Sequence, residues 1–263
     1  MGKYAEAKEQ LEQMLKIKED FYGCGSSQLA STINSLAEAH LGLDDCLTAK
    51  SLCEKALRTK PDDLILVDVI CNLGQAYMQV YRLEEAKLGL EGAWETLTNS
   101  STYSDHGQLL KAKVLSLLGI IYRCFTDAEK VKTALNSCAT LLKGYEGNPN
   151  TEAKVVDIKC HLGYALAHLD DLEKGLELLE SGAVYFESNY GSDHYKFVDT
   201  LHTLGISYGL GLELKKGLVI LERCVELAEH CYGNDSIAMA KFLHSLGISY
   251  SRLNYHKKAV EAY

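Results

Sequence analysis

Leu201-His202-Thr203-Leu204-Gly205-Ile206-Ser207-Tyr208 returns as Leu243-His244-Ser245-Leu246-Gly247-Ile248-Ser249-Tyr250, an offset of 42 residues (247 − 205). The same shift carries Tyr190-Gly191 onto Tyr232-Gly233, Asp193 onto Asp235, and Lys215-Lys216 onto Lys257-Lys258, so a whole segment recurs. A fixed period of this size marks stacked repeat units, and it decides the fold before any site is read. Backwards along the chain the signature reappears as Leu162-Gly163, Leu118-Gly119 with Tyr122, Leu73-Gly74 with Tyr77, and Leu36-Ala37 with His40.

Twelve residues after each of these small residues stands another permissive position: Ala49, Ala86, Val131, Gly175, Gly217 and Ala259. Seven further on come Ala56, Ala93, Cys138, Gly182 and Cys224, while Leu90, Leu135, Leu179 and Leu221 occupy the place four after the second small residue. Small residues at fixed places on two successive helices let the backbones of a hairpin approach closely, with Leu and Tyr filling the space around them.

These residues resemble the tetratricopeptide repeat (TPR), and the resemblance covers the entire chain. Pro61 falls where that family ends its second helix, and the Tyr-Gly pairs at 22–23, 190–191 and 232–233 are similar to the 42-residue repeats of kinesin light chains and nephrocystin-like proteins. The resemblance implies an all-α fold, a right-handed α-solenoid (superhelix) of stacked antiparallel TPR helical hairpins. It also implies a protein-protein interaction scaffold or adaptor that binds a peptide segment in a concave groove. The rival reading is a structural or sensor arm of a larger multidomain protein with mainly intramolecular contacts. The register gives a single array over 1–263: a partial repeat at 1–25 with helix B only, full repeats at 26–61, 62–103, 104–149, 150–191 and 192–233, and an incomplete repeat at 234–263. Both ends then expose apolar sides, so self-association through them is an expectation. Thr98 to Thr102 reads as a polar loop, and Gly144 to Asn150, with Pro149, as the loosest connection.

Two prolines in 263 residues and no period-2 apolar runs agree with an all-helical chain. No stretch approaches the roughly 20 apolar residues of a membrane span. The start, Lys3-Tyr4-Ala5-Glu6-Ala7-Lys8-Glu9, is a charged amphipathic helix and not a signal peptide, which points to the cytoplasm. The nine cysteines form no Cys-x-x-Cys pair and mostly take repeat positions, so they read as small core hydrophobes with free thiols. A net charge of −9 disfavours nucleic acid and anionic membranes as partners.

No phosphate loop, nucleophile elbow or His-Glu-x-x-His helix is present, so no catalytic residue and no cofactor is expected. Paired acids at Asp44-Asp45, Asp62-Asp63 and Asp170-Asp171 fall where helices start and read as caps. Cys160-His161, His168, His202 and His244 could suggest a metal, but rungs of stacked helices lie about 9 Å apart, which is wide for shared coordination. They read as a polar, hydrogen-bonding row.

Taking 100° per residue along the first helix of each hairpin, one face is left free of helix B. Its N-terminal rungs hold Asn34 and Glu38, then Asp68 and Gln75, then Lys113, Ser116, Ile120 and Arg123. Its later rungs hold Asp157 and Tyr164, then Asp199, His202 and Ile206, then Lys241, His244, Ile248 and Arg252. Asn72 joins this peptide-binding set because the resemblance to kinesin light chains implies asparagine-rich rungs. Ile120, Tyr164, Ile206 and Ile248 form an apolar stripe flanked by Lys113, Arg123, Lys241 and Arg252, so the expected ligand is an acidic peptide with an apolar anchor. The lysine and asparagine clamp of chaperone-tail-binding TPRs is absent: the matching places hold Asn34, Cys71, Ser116 and Cys160.

Overall fold

The computed structural model describes residues 3–99, 104–145, 147–169, 171–211, 213–234 and 236–263. Asp170, Asp235 and part of the loop expected at 98–102 lie outside them. Among the described residues every regular element is a helix, and the chain divides into two compact units, residues 3–158 and 159–263. The division falls inside a continuous helix, beyond the Gly144–Asn150 connection.

In the first unit, α1 (Lys3–Tyr22) packs on the hairpin α2 (Ala30–Gly42) and α3 (Cys46–Arg58). Two more hairpins follow, α4 (Asp63–Gln79) with α5 (Leu83–Asn99), and α6 (Asp105–Cys124) with α7 (Ala128–Leu142). The helix α8 (Glu152–Ala167) begins in this unit and ends in the second, where α9 (Leu172–Tyr190) precedes the hairpins α10 (Tyr195–Leu210) with α11 (Leu214–Tyr232) and α12 (Ile237–Arg252) with α13 (His256–Ala262). Within each unit the second helix of one hairpin also packs on the first helix of the next.

The chain reverses within hairpins by one recurring device. The residue seven after the signature's small residue adopts a left-handed conformation: Asp44 (φ 61°), Tyr81 (59°), Thr126 (59°) and Asn254 (62°). The next amide then donates back across the last turn, Asp45 to His40 O at 2.9 Å, Arg82 to Tyr77 O at 2.8 Å, Asp127 to Tyr122 O at 3.1 Å and Tyr255 to Tyr250 O at 2.9 Å. This is a Schellman closure, which satisfies carbonyls that the helix end would orphan. At the ends of α1, α9 and α11 the Tyr-Gly pair stops the helix instead. Gly191 (φ 93°, ψ 165°) and Gly233 (φ 80°, ψ 154°) occupy a region that only glycine enters without strain, which is why glycine recurs there.

Caps start the helices as charge and side-chain chemistry require. Asp45 accepts from the Thr48 amide at 3.2 Å, Asp62 from Ile65 at 3.0 Å and Asp127 from Lys130 at 3.2 Å. Asp171 stands at the start of α9 but its side chain makes no capping bond, so the capping expected at Asp170-Asp171 is not seen in the described half of that pair.

The permissive positions are where helices meet. In the first unit Ala86, Leu90 and Ala93 of α5 are fully buried with Val67, Cys71, Val114, Leu117 and Ile121. In the second, Leu179, Leu204 and Tyr208 form a cluster with Leu176 and Ile220 against it. The cysteines of the small slot repeat one geometry: Cys138 Sγ donates to Ala112 O and Cys224 Sγ to Val198 O, both at 3.3 Å.

Candidate binding face

The free face predicted for the first helices of the hairpins is populated by side chains that bind one another across rungs. In the first unit Asn34 Nδ2 donates to Asp68 Oδ2 at 2.9 Å and Asn72 Nδ2 donates to Asn34 Oδ1 at 3.0 Å. Lys113 Nζ closes the ring, donating to Asp68 Oδ1 at 2.9 Å and to Asn72 Oδ1 at 3.2 Å. One residue from α2, two from α4 and one from α6 thus form a ring with balanced charge. Burial alone would raise the Asp68 carboxyl, but the charge and hydrogen bond of Lys113 outweigh it and hold that pKa below the usual carboxylate range. Burial alone would lower Lys113, and Asp68 reverses it in the same way, so its ammonium is held above the ordinary lysine value. Both partners are therefore ionised at neutral pH.

Around the ring, Ser116 is fully buried and donates its hydroxyl to Lys113 O at 2.8 Å. Glu38 is exposed, while Gln75, Ile120, Arg123 and Asp157 are half-buried. In the second unit the charge pattern repeats, Lys241 Nζ lying 3.1 Å from Asp199 Oδ1. Arg252 donates from its guanidinium to Gly209 O at the end of α10. Tyr164 is half-buried with its ring centre 4.4 Å from that of His168, and His244 is exposed beside Tyr263, 5.8 Å between ring centres.

His202 and Ser245 stand 2.8 Å apart, Nε2 to Oγ, a pairing that the sequence did not reveal. Ser245 is itself placed to donate its hydroxyl to Lys241 O at 3.0 Å, so the imidazole supplies the hydrogen of the His–Ser bond from Nε2. A serine whose proton points at its own helix is not a nucleophile activated by this histidine. Burial first, then the charge of Lys241, pushes the His202 pKa down to about 3, so the ring is neutral at ordinary pH. Phe242 packs edge-on against it at 4.9 Å. The two histidines at equivalent places in adjacent repeats, His202 and His244, thus have different partners. Among the described residues no group of three His, Cys, Asp or Glu side chains is placed to hold a metal ion.

The apolar residues of this face differ in exposure. Ile206 packs against the cluster of Leu218, Leu221, Leu246 and Tyr250 and belongs mostly to the core. Ile248, one rung on, is 41% exposed, and Leu210, which sequence reasoning passed over, is 45% exposed at the end of α10. The apolar surface of this unit's face is therefore Ile248 with Leu210 more than the expected Ile206. Of the basic flank expected to attract an acidic ligand, Lys113 and Lys241 are paired with Asp68 and Asp199, and the Arg252 guanidinium donates to a backbone carbonyl.

No protein-family model and no curated protein sequence matches the chain. Solved structures do. A Rap protein complexed with competence and sporulation factor aligns at TM-score 0.59 and 12% identity, covering 97% of this chain and 82% of that one. BtubC (BKLC) from P. vanneervenii aligns at TM-score 0.55 and 15% identity, covering 89% and 87%. The nearly identical TPR-like repeats of a Podosopora anserina putative kinesin light chain align at TM-score 0.47 and 16% identity, covering 77% and 95%. The fold is that of TPR-like helical hairpins, and identities this low speak for the fold alone. Among the described residues no helix is long and apolar enough to cross a membrane.

Proposed function

We propose that the chain is a protein-interaction scaffold whose second unit takes an apolar side chain of a peptide ligand on the face of α10 and α12. The observation that carries this is the pair Ile248 and Leu210, large apolar side chains of α12 and α10 left open on helices whose Lys241 and Asp199 charges neutralise each other. Open apolar surface rimmed by satisfied polar groups is where binding energy is available without a desolvation penalty for unpaired charge. The Rap protein, similar in fold, was solved complexed with competence and sporulation factor, which supports a role in binding a partner. The first unit favours a second, structural reading for its own face, because the ring of Asn34, Asp68, Asn72 and Lys113 has its groups paired internally. A cytoplasmic location, as read from the sequence, goes with this proposal.

The test is panning a random dodecamer peptide library on the purified protein. Selected peptides should carry a large apolar residue and lose at least ten-fold in affinity to Ile248→Asp, a variant that should melt close to the parent. Leu246→Asp, by contrast, should unfold the last hairpin, since Leu246 is 7% exposed in the core cluster. Peptides that bind Ile248→Asp unchanged would remove the apolar anchor from the proposal.

A further inference from the structure

Three junctions share a contact that no binding role requires. On α6, Tyr122 donates its hydroxyl to Glu91 Oε1 of α5 at 3.0 Å, and Lys130 of α7 holds its ammonium 5.2 Å from the ring centre. On α10, Tyr208 donates to Glu180 of α9, and Lys216 of α11 lies 4.0 Å over the ring and 3.5 Å from Glu180. On α12, Tyr250 donates to Glu222 Oε1 of α11 at 2.6 Å, while Lys258 of α13 is 5.2 Å from the ring and 3.8 Å from Glu222. Each clasp joins three consecutive helices: a carboxylate from the preceding hairpin, a phenol, and a cation from the hairpin's own second helix. At α4 a looser version has Tyr77 under Lys50 of α3 (5.8 Å) and Arg82 (5.2 Å).

The clasp is written in the repeat register. The glutamate precedes the second helix's later small residue by two, the tyrosine follows the signature's small residue by three, and the lysine precedes the next small residue by one. In that register the places on α7 and α8 hold Asn136 and Leu166, which have neither carboxylate nor phenol. The compact units divide in the same stretch of chain, at residues 158 and 159.

We infer that these clasps define two cooperative blocks, so that the hairpins of residues 63–142 open together and those of residues 172–262 open together, each block without the other. A nearest-neighbour array unfolds as one body only where every interface term is large, and a missing term is where cooperativity breaks. The interface term here is a hydrogen bond to a carboxylate reinforced by a cation over the ring.

Hydrogen exchange of the full chain tests this with Tyr122→Phe and with Tyr208→Phe plus Tyr250→Phe, variants that keep the rings and hence the packing. Tyr122→Phe should speed exchange of the slowest amides within 63–142 roughly five-fold, as loss of about 1 kcal/mol predicts, and leave those of 172–262 unchanged. The second variant should do the reverse. If either variant accelerates both segments equally, the chain is one cooperative body and the inference is overturned. If neither changes exchange in its own segment, the clasps contribute nothing and it is overturned equally.

Discussion

At Gly175 an added Cβ would stand 2.6 Å from the Ala167 nitrogen and 2.7 Å from the Gly163 carbonyl oxygen, both backbone atoms that cannot move aside. Gly175→Ala should therefore cost on the order of 1 to 3 kcal/mol by overpacking, read as a lower denaturation midpoint. Gly92, inside α5, has nothing within 4 Å of the same position. Gly92→Ala should gain about 0.5 to 1 kcal/mol, because alanine there loses less chain entropy on folding and meets no neighbour. Glycine identity alone does not separate the two; the repeat register does, since only Gly175 occupies a permissive slot. The left-handed turn residues show the converse. Asp44 and Asn254 suit that conformation, whereas Tyr81, 87% exposed, adopts it at a cost that nothing in its surroundings explains.

Helices α10 and α12 carry the pH dependence of the second unit. His202 resists protonation in the folded state down to about pH 3, while in the unfolded chain it takes a proton near the ordinary 6.5. Between these values the unfolded state binds the proton that the folded state refuses, so stability falls as pH falls from 6.5 towards 3. Melting of the wild type between pH 7 and pH 4.5 should drop more than melting of His202→Gln, whose amide keeps a donor for Ser245. Equal drops in the two proteins would show that His202 does not titrate out of range. This coupling also shows what the sequence made legible at this scale. The period placed Leu204, Leu246, Gly205 and Gly175 in the core, because burial follows the helical repeat. The free face was located by angle alone, and angle does not say that Lys113 turns to Asp68 or that Ile206 leans into the core, since those choices depend on the neighbouring rung. The Tyr–Glu–Lys clasp was within reach, as the recurrence of Lys215-Lys216 at Lys257-Lys258 carries one of its members.

Over the whole chain all nine cysteines are free thiols, distributed in three grades of access. Cys24 and Cys124 are exposed; Cys53, Cys71, Cys138 and Cys224 are buried, and burial pushes the first three of these up to about 12 and Cys224 higher still. The thiolate is the reactive form, so iodoacetamide at neutral pH should label Cys24 and Cys124 first, with those four unmodified until denaturant is added, as read by peptide mass spectrometry. Early labelling at Cys138 or Cys224 would contradict the packing of the small slots.

The ring of Asn34, Asp68, Asn72 and Lys113 has a further consequence for how such a chain can drift. Each member is donor or acceptor to two others or to a charge, so replacing any one strands a partner in a half-buried place, and the loss is greatest where only one of the Asp68–Lys113 charges remains. Single steps away from the ring are costly although the replacement of all four by apolar residues need not be. Across descendants of this sequence the four positions should behave as one inherited character, kept together or exchanged together, spread over three repeats that are otherwise free to diverge.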